Sequence, residues 1–436
     1  MSYDMSLKYI KKFLAILVLG LLFCNIAFAV SLESILEKAN LYTVIINNSI
    51  EKPFIEDGYG GSGTGFLVDK KKGLIITNSH VSGHSPAFNE INFKNQEPVP
   101  AKQVYIDAEL DLAILKIDPA LIPAEAIEGK MECSFNYKQG ANTVAFGHPH
   151  GRNFTITRGI ISGIDYAKLA GFEAIQTDTP INPGNSGGPF IDIATGLIIG
   201  ISSFGLEDTE GLNFALPSHH VCKVLSLFQE GKDPSPLNFN VLFASDDRLR
   251  EHLLISEVLD NSSRLKISDN IVEANGVKVT NPTALSTATR GNNKVELVVL
   301  RNGKKININT QLKTKGSLTK RRGLVLSNAL ISNKLSSNYS GISEQIFNSQ
   351  KHLVVQSVEA GVASGKLRSR DIIMYVDGKE IKDLDDLYVY LNNKKQAEFF
   401  LRRASFFNDK IVFYDRYEKV KIEDLKFLEF DRWKSF

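Results

Sequence analysis

The stretch Thr179–Phe190, TPINPGNSGGPF, surrounds one serine, Ser186, with glycine, proline and asparagine. So few side chains cannot make a helix interior, and they make a weak strand. Glycines at this density mean that the backbone turns sharply or that something approaches it closely. The stretch reads either as a surface turn or as a loop presenting a hydroxyl and bare N–H groups. By itself it does not decide between them.

Around it, residues 40–225 read as mainly β. The runs GTGFLVD, GLIITNSHV, DLAILKI, NTVAFG, GIISGI, GLIIGISSF and LNFALP are short and β-branched or aromatic, with Gly, Asn, Asp or Pro between them. That rhythm suits a barrel or a sandwich. HHVCKVLSLFQEGKD then spaces Val221, Val224, Leu225 and Phe228 along one helical face, with Gly231 as a stop. DPSP, at 233–236, reads as a linker.

A repeat follows. DNIVEANGVKV (269–279) and DIIMYVDGKEI (371–381) align without gaps, so Asp269 matches Asp371 and Asn275-Gly276 matches Asp377-Gly378 at an offset of 102. Asn-Gly and Asp-Gly between apolar runs are hairpin signals, because these residues tolerate φ > 0. Two copies of one small domain account for this, at 236–315 and 322–416, leaving a tail at 417–436 that reads as a helix or an added strand.

The 436 residues fit two or three domains. The chain is 43% hydrophobic and 23% charged with a net charge of +2, so it lacks the basic footprint of a nucleic-acid binder. At the N-terminus, Lys8, Lys11 and Lys12 precede FLAILVLGLLFCNIAFA, which ends in a small-x-small pattern. Residues 1–29 therefore read as a cleaved export signal, with a retained anchor as the alternative. Removing them leaves Cys133 and Cys222, either bridged or as two separate thiols. His148 and His150 in GHPHG read as part of a turn; no metal or cofactor site is expected.

A serine hydroxyl becomes a nucleophile when an imidazole takes its proton and a carboxylate orients that imidazole. His80 ends the strand run GLIITNSHV, and Asp111 opens DLAILKI; Asp107 and Glu109 are rivals for the acid. His80, Asp111 and Ser186 follow the order His…Asp…Ser that a chymotrypsin-like double barrel supplies. Gly184 and Ser186 are expected to aim their N–H groups at one point as an oxyanion hole, and Gly187 and Gly188 to leave room for a substrate backbone.

GSGTGFLVD, GLIITNSHV, DLAILKI, QTDTPINPGNSGGPF and GLNFALPS together resemble the signature segments of the HtrA/Deg (protease Do) serine proteases over residues 58–218. The resemblance implies a mainly β chain: a chymotrypsin-like double β-barrel at 30–232, then two small α/β PDZ-like domains. It implies an ATP-independent serine endopeptidase of an exported compartment such as a periplasm, acting on unfolded polypeptides. His80, Asp111 and Ser186 take the triad positions, and Ile181, Ile201 and Ser202 wall a pocket for small aliphatic side chains. Peptide C-termini or apolar segments are the implied ligands of the PDZ-like domains, and trimers or their multiples the implied assembly. The chain departs from the family at Pro180, in lacking a long insertion before GSGTGF, and in its short NSSRLKIS and ASGKLRSR segments. LNFNVLF and RRGLVLS stand nearest to carboxylate-binding loops.

Overall fold

A computed structural model describes residues 31–54, 58–148, 154–167, 171–206, 209, 211–244, 252–260, 262–333, 352–359, 361, 366–407 and 410–430. The expected export signal, Cys24 and His150 lie outside the described residues.

Helix α1 (Leu32–Tyr42) starts where the Ser31 side chain accepts from the Ser34 N–H, and it buries Ile35, Ala39 and Tyr42. Strands β1 (Thr43–Ser49), β2 (Gly60–Asp69), β3 (Leu74–Thr77), β4 (Phe88–Phe93), β5 (Val99–Asp107) and β6 (Leu112–Lys116) close a barrel in the order β1-β2-β3-β6-β5-β4. Strands β7 (Asn142–Gly147), β8 (Thr155–Ala167), β9 (Phe172–Thr177), β10 (Pro189–Asp192), β11 (Ile198–Gly205) and β12 (Asn213–Pro217) close a second, in the order β10-β11-β12-β9-β8-β7. This is the chymotrypsin-like double barrel expected from the sequence.

One apolar cluster runs through both barrels. Ile46, Phe66 and Ile75 of the first join Val144, Ile201 and Leu216 of the second, all fully buried. Each such side chain contributes roughly 1.5–3 kcal/mol of transfer free energy. Helix α2 (Ser79–Ser82) is a single turn carrying His80. Helix α3 (Ser218–Gln229) lays Val221, Val224 and Leu225 on the core, and Gly231 ends it at φ 73°, as the sequence spacing requires. Cys133 and Cys222 are bridged, which ties the segment before β7 to α3. Sequence alone left that open.

The C-terminal half holds two sheets. The first contains β13 (Val241–Phe243), β14 (Leu253–Val258), β15 (Asn270–Ala274), β16 (Val277–Lys278), β17 (Lys294–Arg301) and β18 (Lys304–Gln311), with helix α4 (Pro282–Thr289). The second contains β19 (Gly323–Leu326), β20 (Ala329–Ser332), β21 (Leu353–Val358), β22 (Ile372–Val376), β23 (Gln396–Phe407), β24 (Lys410–Lys421) and β25 (Leu425–Leu428), with helix α5 (Leu384–Leu391). Its order is β24-β23-β22-β21-β20-β19-β25.

The repeat is reproduced atom by atom. Asn275-Gly276 and Asp377-Gly378 both turn with positive φ, at 49° and 78° and at 48° and 77°. Arg301 grips Asp269 with two bonds of 2.7 Å, and Arg403 grips Asp371 with two of 2.6 Å, at the same offset of 102. Both aspartates are fully buried, and in each copy a backbone N–H three residues upstream also donates to the carboxylate. A buried carboxylate persists when it is paired and fully bonded in this way.

Two expectations need correction. DPSP is not a free spacer, because Pro234, Ser235 and Pro236 are buried and the Pro234 carbonyl accepts from Arg290 at 2.6 Å. The expected boundary after residue 416 falls inside β24, and the tail adds β25 to the sheet. Its alternating apolar residues Leu425 and Phe427 pair against β19, so the tail is part of the second unit.

Arg290 follows α4 and reaches into the first barrel. It bonds Asp107 at 2.5 Å and the Tyr105 hydroxyl at 3.3 Å, with both ionic side chains almost fully buried. Breaking one side of such a pair strands a buried charge. Arg290→Ala should therefore lower stability by about 3–5 kcal/mol in urea unfolding followed by tryptophan and tyrosine fluorescence, and Asp107→Ala/Arg290→Ala should recover part of that loss. A loss under about 1 kcal/mol for the single variant would show that the pair does not hold the two units together.

Candidate active site

His80 sits on α2, which Asn78, the residue after β3, precedes in extended geometry at φ −74°, ψ 152°. Asp111 lies in the turn before β6 with φ 49°, a conformation aspartate tolerates. Two bonds pull these segments together: Ser79 N–H and Asn78 Nδ2 both donate to the Asp111 carbonyl, at 3.1 and 2.9 Å. The Asp111 carboxylate then faces His80, and Oδ2 lies 2.8 Å from His80 Nδ1.

Three further donors converge on that carboxylate. His80 N–H and Ser79 Oγ donate to Oδ1 at 3.1 and 2.8 Å, and Ser203 Oγ donates to Oδ2 at 3.0 Å. Asp111 titrates below the usual carboxylate range. Burial pushes it up, but the imidazole's charge and bond and the donors from His80 and Ser79 outweigh that. His80 is raised from 6.5. Burial alone lowers it, and the charge of Asp111 and its hydrogen bond more than reverse the effect. With Nδ1 donating to a carboxylate, the neutral tautomer leaves Nε2 as the free base.

The rival acids are committed elsewhere. Asp107 holds Arg290, and Glu109 pairs with Lys315. Both therefore bind the first C-terminal unit to the barrel rather than face the imidazole.

The Ser186 loop is seated between the barrels. Thr64 N–H donates to the Ser186 carbonyl at 2.9 Å, Thr64 Oγ1 donates to the Gly184 carbonyl at 2.6 Å, and Gly187 N–H donates to the Ser202 carbonyl at 2.8 Å. Gly184 is at φ 104°. Among the described residues, the N–H groups of Gly184 and Ser186 have no hydrogen-bond acceptor, as an open anion-binding pair requires. Ser186 Oγ donates to the Ser203 carbonyl at 2.7 Å and forms no hydrogen bond to His80. Ser203 thus touches the nucleophile candidate through its carbonyl and the acid through its hydroxyl.

One sequence expectation changes here. A Cβ on Gly187 would stand 2.1 Å from the Thr64 carbonyl oxygen and 2.2 Å from Thr77 Oγ1, and one on Gly188 would stand 2.4 Å from the Phe146 carbonyl oxygen. These glycines make room for the protein's own backbone, not for a substrate. Ile201 is 0% exposed in the shared core. Ile181 is buried with Ile175, Ile199 and Ala215 of the second barrel. Ser202 is buried as well, between Gly187 and Gly188 in the backbone pairing. Ser79, Ser203 and Thr64 are not legible from sequence, because a serine or threonine beside a motif carries no signal until the fold shows what it faces.

Among the described residues, Glu173, His219 and His220 bring potential metal ligands within 4.8 Å of one another. His220 is already committed, with Nε2 on Glu173 at 3.1 Å and Nδ1 on Thr287 at 2.7 Å. The group works as a strut between the second barrel and α4. Burial and the neighbouring His220 press the His219 ring down to about 3, so it stays neutral.

The trypsin-like peptidase domain profile matches residues 63–201. The serine protease Do-like HtrA of Lactobacillus helveticus is 31% identical over 285 residues, which cover 58% of this chain and 68% of that protein. The chain belongs to the HtrA/Deg family of serine proteases. The periplasmic serine endoprotease DegP of Escherichia coli strain K12 is 28% identical over 378 residues, covering 78% of this chain and 76% of the relative. A solved structure of the HtrA-type protease AlgW with a tripeptide superposes with a TM-score of 0.51 at 25% identity, covering 65% of this chain and 97% of that one. This HtrA/Deg protein is accordingly a serine endopeptidase, a hydrolase of peptide bonds.

Gly187 and Gly140 separate the cost of crowding from the cost of a left-handed backbone. Both have φ near +84°, but a Cβ on Gly140 meets nothing within 4 Å. Gly140→Ala should cost only about 1–2 kcal/mol of strain, whereas Gly187→Ala adds an overpacking cost of about 1–3 kcal/mol or more and displaces the serine loop. Thermal unfolding of the two variants side by side checks this, and equal melting shifts would contradict it.

Proposed function

We propose that the protein is an ATP-independent endopeptidase that degrades unfolded or damaged polypeptides in an exported compartment, by an acyl-enzyme route. Ser186 is the nucleophile, His80 the general base and then the general acid, and Asp111 the group that fixes the imidazole's tautomer. The N–H groups of Gly184 and Ser186 stabilise the oxyanion. The observation that carries this reading is the 2.8 Å contact between Asp111 Oδ2 and His80 Nδ1, made by a carboxylate that also meets Ser203, the residue whose carbonyl holds Ser186 Oγ.

The steps follow from these groups. Rotation about the Ser186 side-chain bond releases Oγ from the Ser203 carbonyl and turns it to His80 Nε2. His80 takes the proton as Oγ attacks the scissile carbonyl, and the negative oxygen develops against two backbone N–H donors. Each donor is worth about 3–4 kcal/mol in the transition state. The protonated imidazole gives its proton to the leaving amine, and water repeats the sequence to free the enzyme. The serine's resting contact adds a small barrier, since one neutral hydrogen bond is worth only about 1 kcal/mol net.

The domains proposed are the protease over 30–232, a first PDZ-like unit over 236–315, and a second from 322 that runs through β25. The two units are proposed to hold extended client segments by strand addition, and the assembly to be trimer-based. An export signal at 1–29 fits the periplasmic relative and the Cys133–Cys222 bridge.

Wild-type protein should digest reduced casein without nucleotide, and Ser186→Ala should not; equal rates would end the assignment. Because His80 must be neutral and is raised from 6.5, activity should climb with pH through a midpoint above 6.5. Asp111→Asn removes both upward influences, so the midpoint should fall and the rate should drop by about 10⁴-fold. An unchanged midpoint would show that Asp111 does not tune His80.

A further inference from the structure

The second C-terminal sheet continues where the first one stops. Val241 pairs with Val258 in the first, and Ala329 pairs with Val358 in the second, so β13 and β20 are counterparts. β13 ends its sheet, but beyond β20 lie β19 and then β25. A sheet edge offers unpaired N–H and C=O groups to an extended peptide. Here β25 takes that place, antiparallel to β19, with Leu425 against Leu326 and Leu428 against Gly323.

β25 is seated as a bound peptide would be, one side chain at a time. Phe427 lies beside Tyr388 of α5, with ring centroids 5.0 Å apart, and the Arg322 guanidinium stands over its ring at 4.2 Å. Arg322 is held by Asp385 of α5 at 3.0 Å and bonds Glu429 at 3.0 Å. It thus reads an aromatic residue and an acid two places later, by cation–π contact and ion pairing. Leu428 is buried with Val325, Leu330 and Phe54. Residues 422–424 alone connect it to β24, and among the described residues it follows every other strand in chain order, so its withdrawal leaves β19–β24 paired as they are.

We propose that the groove between β19 and α5 is a peptide-strand site whose resident ligand is the protein's own strand Leu425–Leu428, displaceable by an external segment of the form Phe-x-acid. This rests on the reading of the second unit as a peptide holder. Displacement also has a consequence for the protease half. Leu428 packs on Phe54, whose N–H donates to Ser85 Oγ at 2.7 Å and whose ring lies 3.8 Å from the Arg321 guanidinium. Loss of the strand removes one of the contacts by which the second unit grips the barrel.

The probe is a fluorescein-labelled peptide of residues 423–430, EDLKFLEF, followed by anisotropy against the full chain and against a chain ending at Ile422. A strand on a three-residue tether competes at an effective concentration of about millimolar, so the shortened chain should bind the peptide at least about tenfold more tightly. In the shortened chain, Arg322→Glu should weaken that binding at least about fivefold. Equal binding by both chains, or none by the shortened one, overturns the proposal. If the shortened chain binds a casein-derived apolar peptide but not EDLKFLEF, only the resident-ligand claim falls; if it binds neither, the peptide-holder reading falls with it. A second form guards against misfolding: a sequence-specific protease site placed between Glu423 and Asp424 is cut after purification, and native mass spectrometry follows the tail. Loss of the tail in excess EDLKFLEF supports the proposal, and its retention at saturating peptide refutes it. Fluorophosphonate labelling of the same samples reports the protease site separately.

Discussion

Thr64 is the point on which the two barrels agree. Its N–H and hydroxyl hold the carbonyls of Ser186 and Gly184, and its own carbonyl accepts from Thr77 Oγ1 at 2.7 Å. One residue of β2 therefore links the serine loop of the second barrel to β3, the strand that runs into His80. A neutral hydrogen bond contributes only about 1 kcal/mol net, so these bonds do not build the fold; the apolar cluster shared by the barrels does. Their role is positional. They fix a loop that has almost no side chains of its own to pack, and the glycines at 187 and 188 are what allow the two backbones to come this close.

The Asp111 carboxylate is the second constraint. It is charged and mostly enclosed, with its side chain 19% exposed, and His80, Ser79 and Ser203 supply it with four donors between them. The same network that makes its charge affordable raises the imidazole's affinity for a proton. Stability and chemistry are thus coupled in one cluster: the carboxylate needs the imidazole as partner, and the imidazole gains its orientation and basicity from the carboxylate. The duplicated Arg–Asp pairs at 269/301 and 371/403 solve the same problem without chemistry, because a guanidinium keeps its proton and cannot act as a base.

Much of this was legible in the residues. Strand runs and turn signals pointed to a barrel or a sandwich, Asn-Gly and Asp-Gly marked the positive-φ hairpins, and the residue order singled out His80 and Asp111, which the fold brings to 2.8 Å. What escaped reading was whatever depends on distant neighbours. Asp107 and Glu109 look like rival acids in one dimension; only the fold shows Arg290 and Lys315 meeting them. Gly187 and Gly188 look like space for a ligand until Thr64 and Phe146 are seen filling it. The burial of Ile201 and Ile181 in the barrel cores likewise depends on neighbours far off in the chain. DPSP has linker composition, yet Arg290 draws it into an interface, and the tail's short Leu-Lys-Phe-Leu alternation becomes a strand only because β19 has an edge to offer.

The central proposal is that His80 and Asp111 make Ser186 nucleophilic, although its hydroxyl rests on Ser203. Reaction with a fluorophosphonate, followed by peptide mapping and repeated across pH, tests this directly. The account predicts one adduct, on Ser186, whose rate of formation rises with pH through a midpoint above 6.5. Modification of another residue, or a Ser186 rate that His80→Ala leaves unchanged, would contradict it.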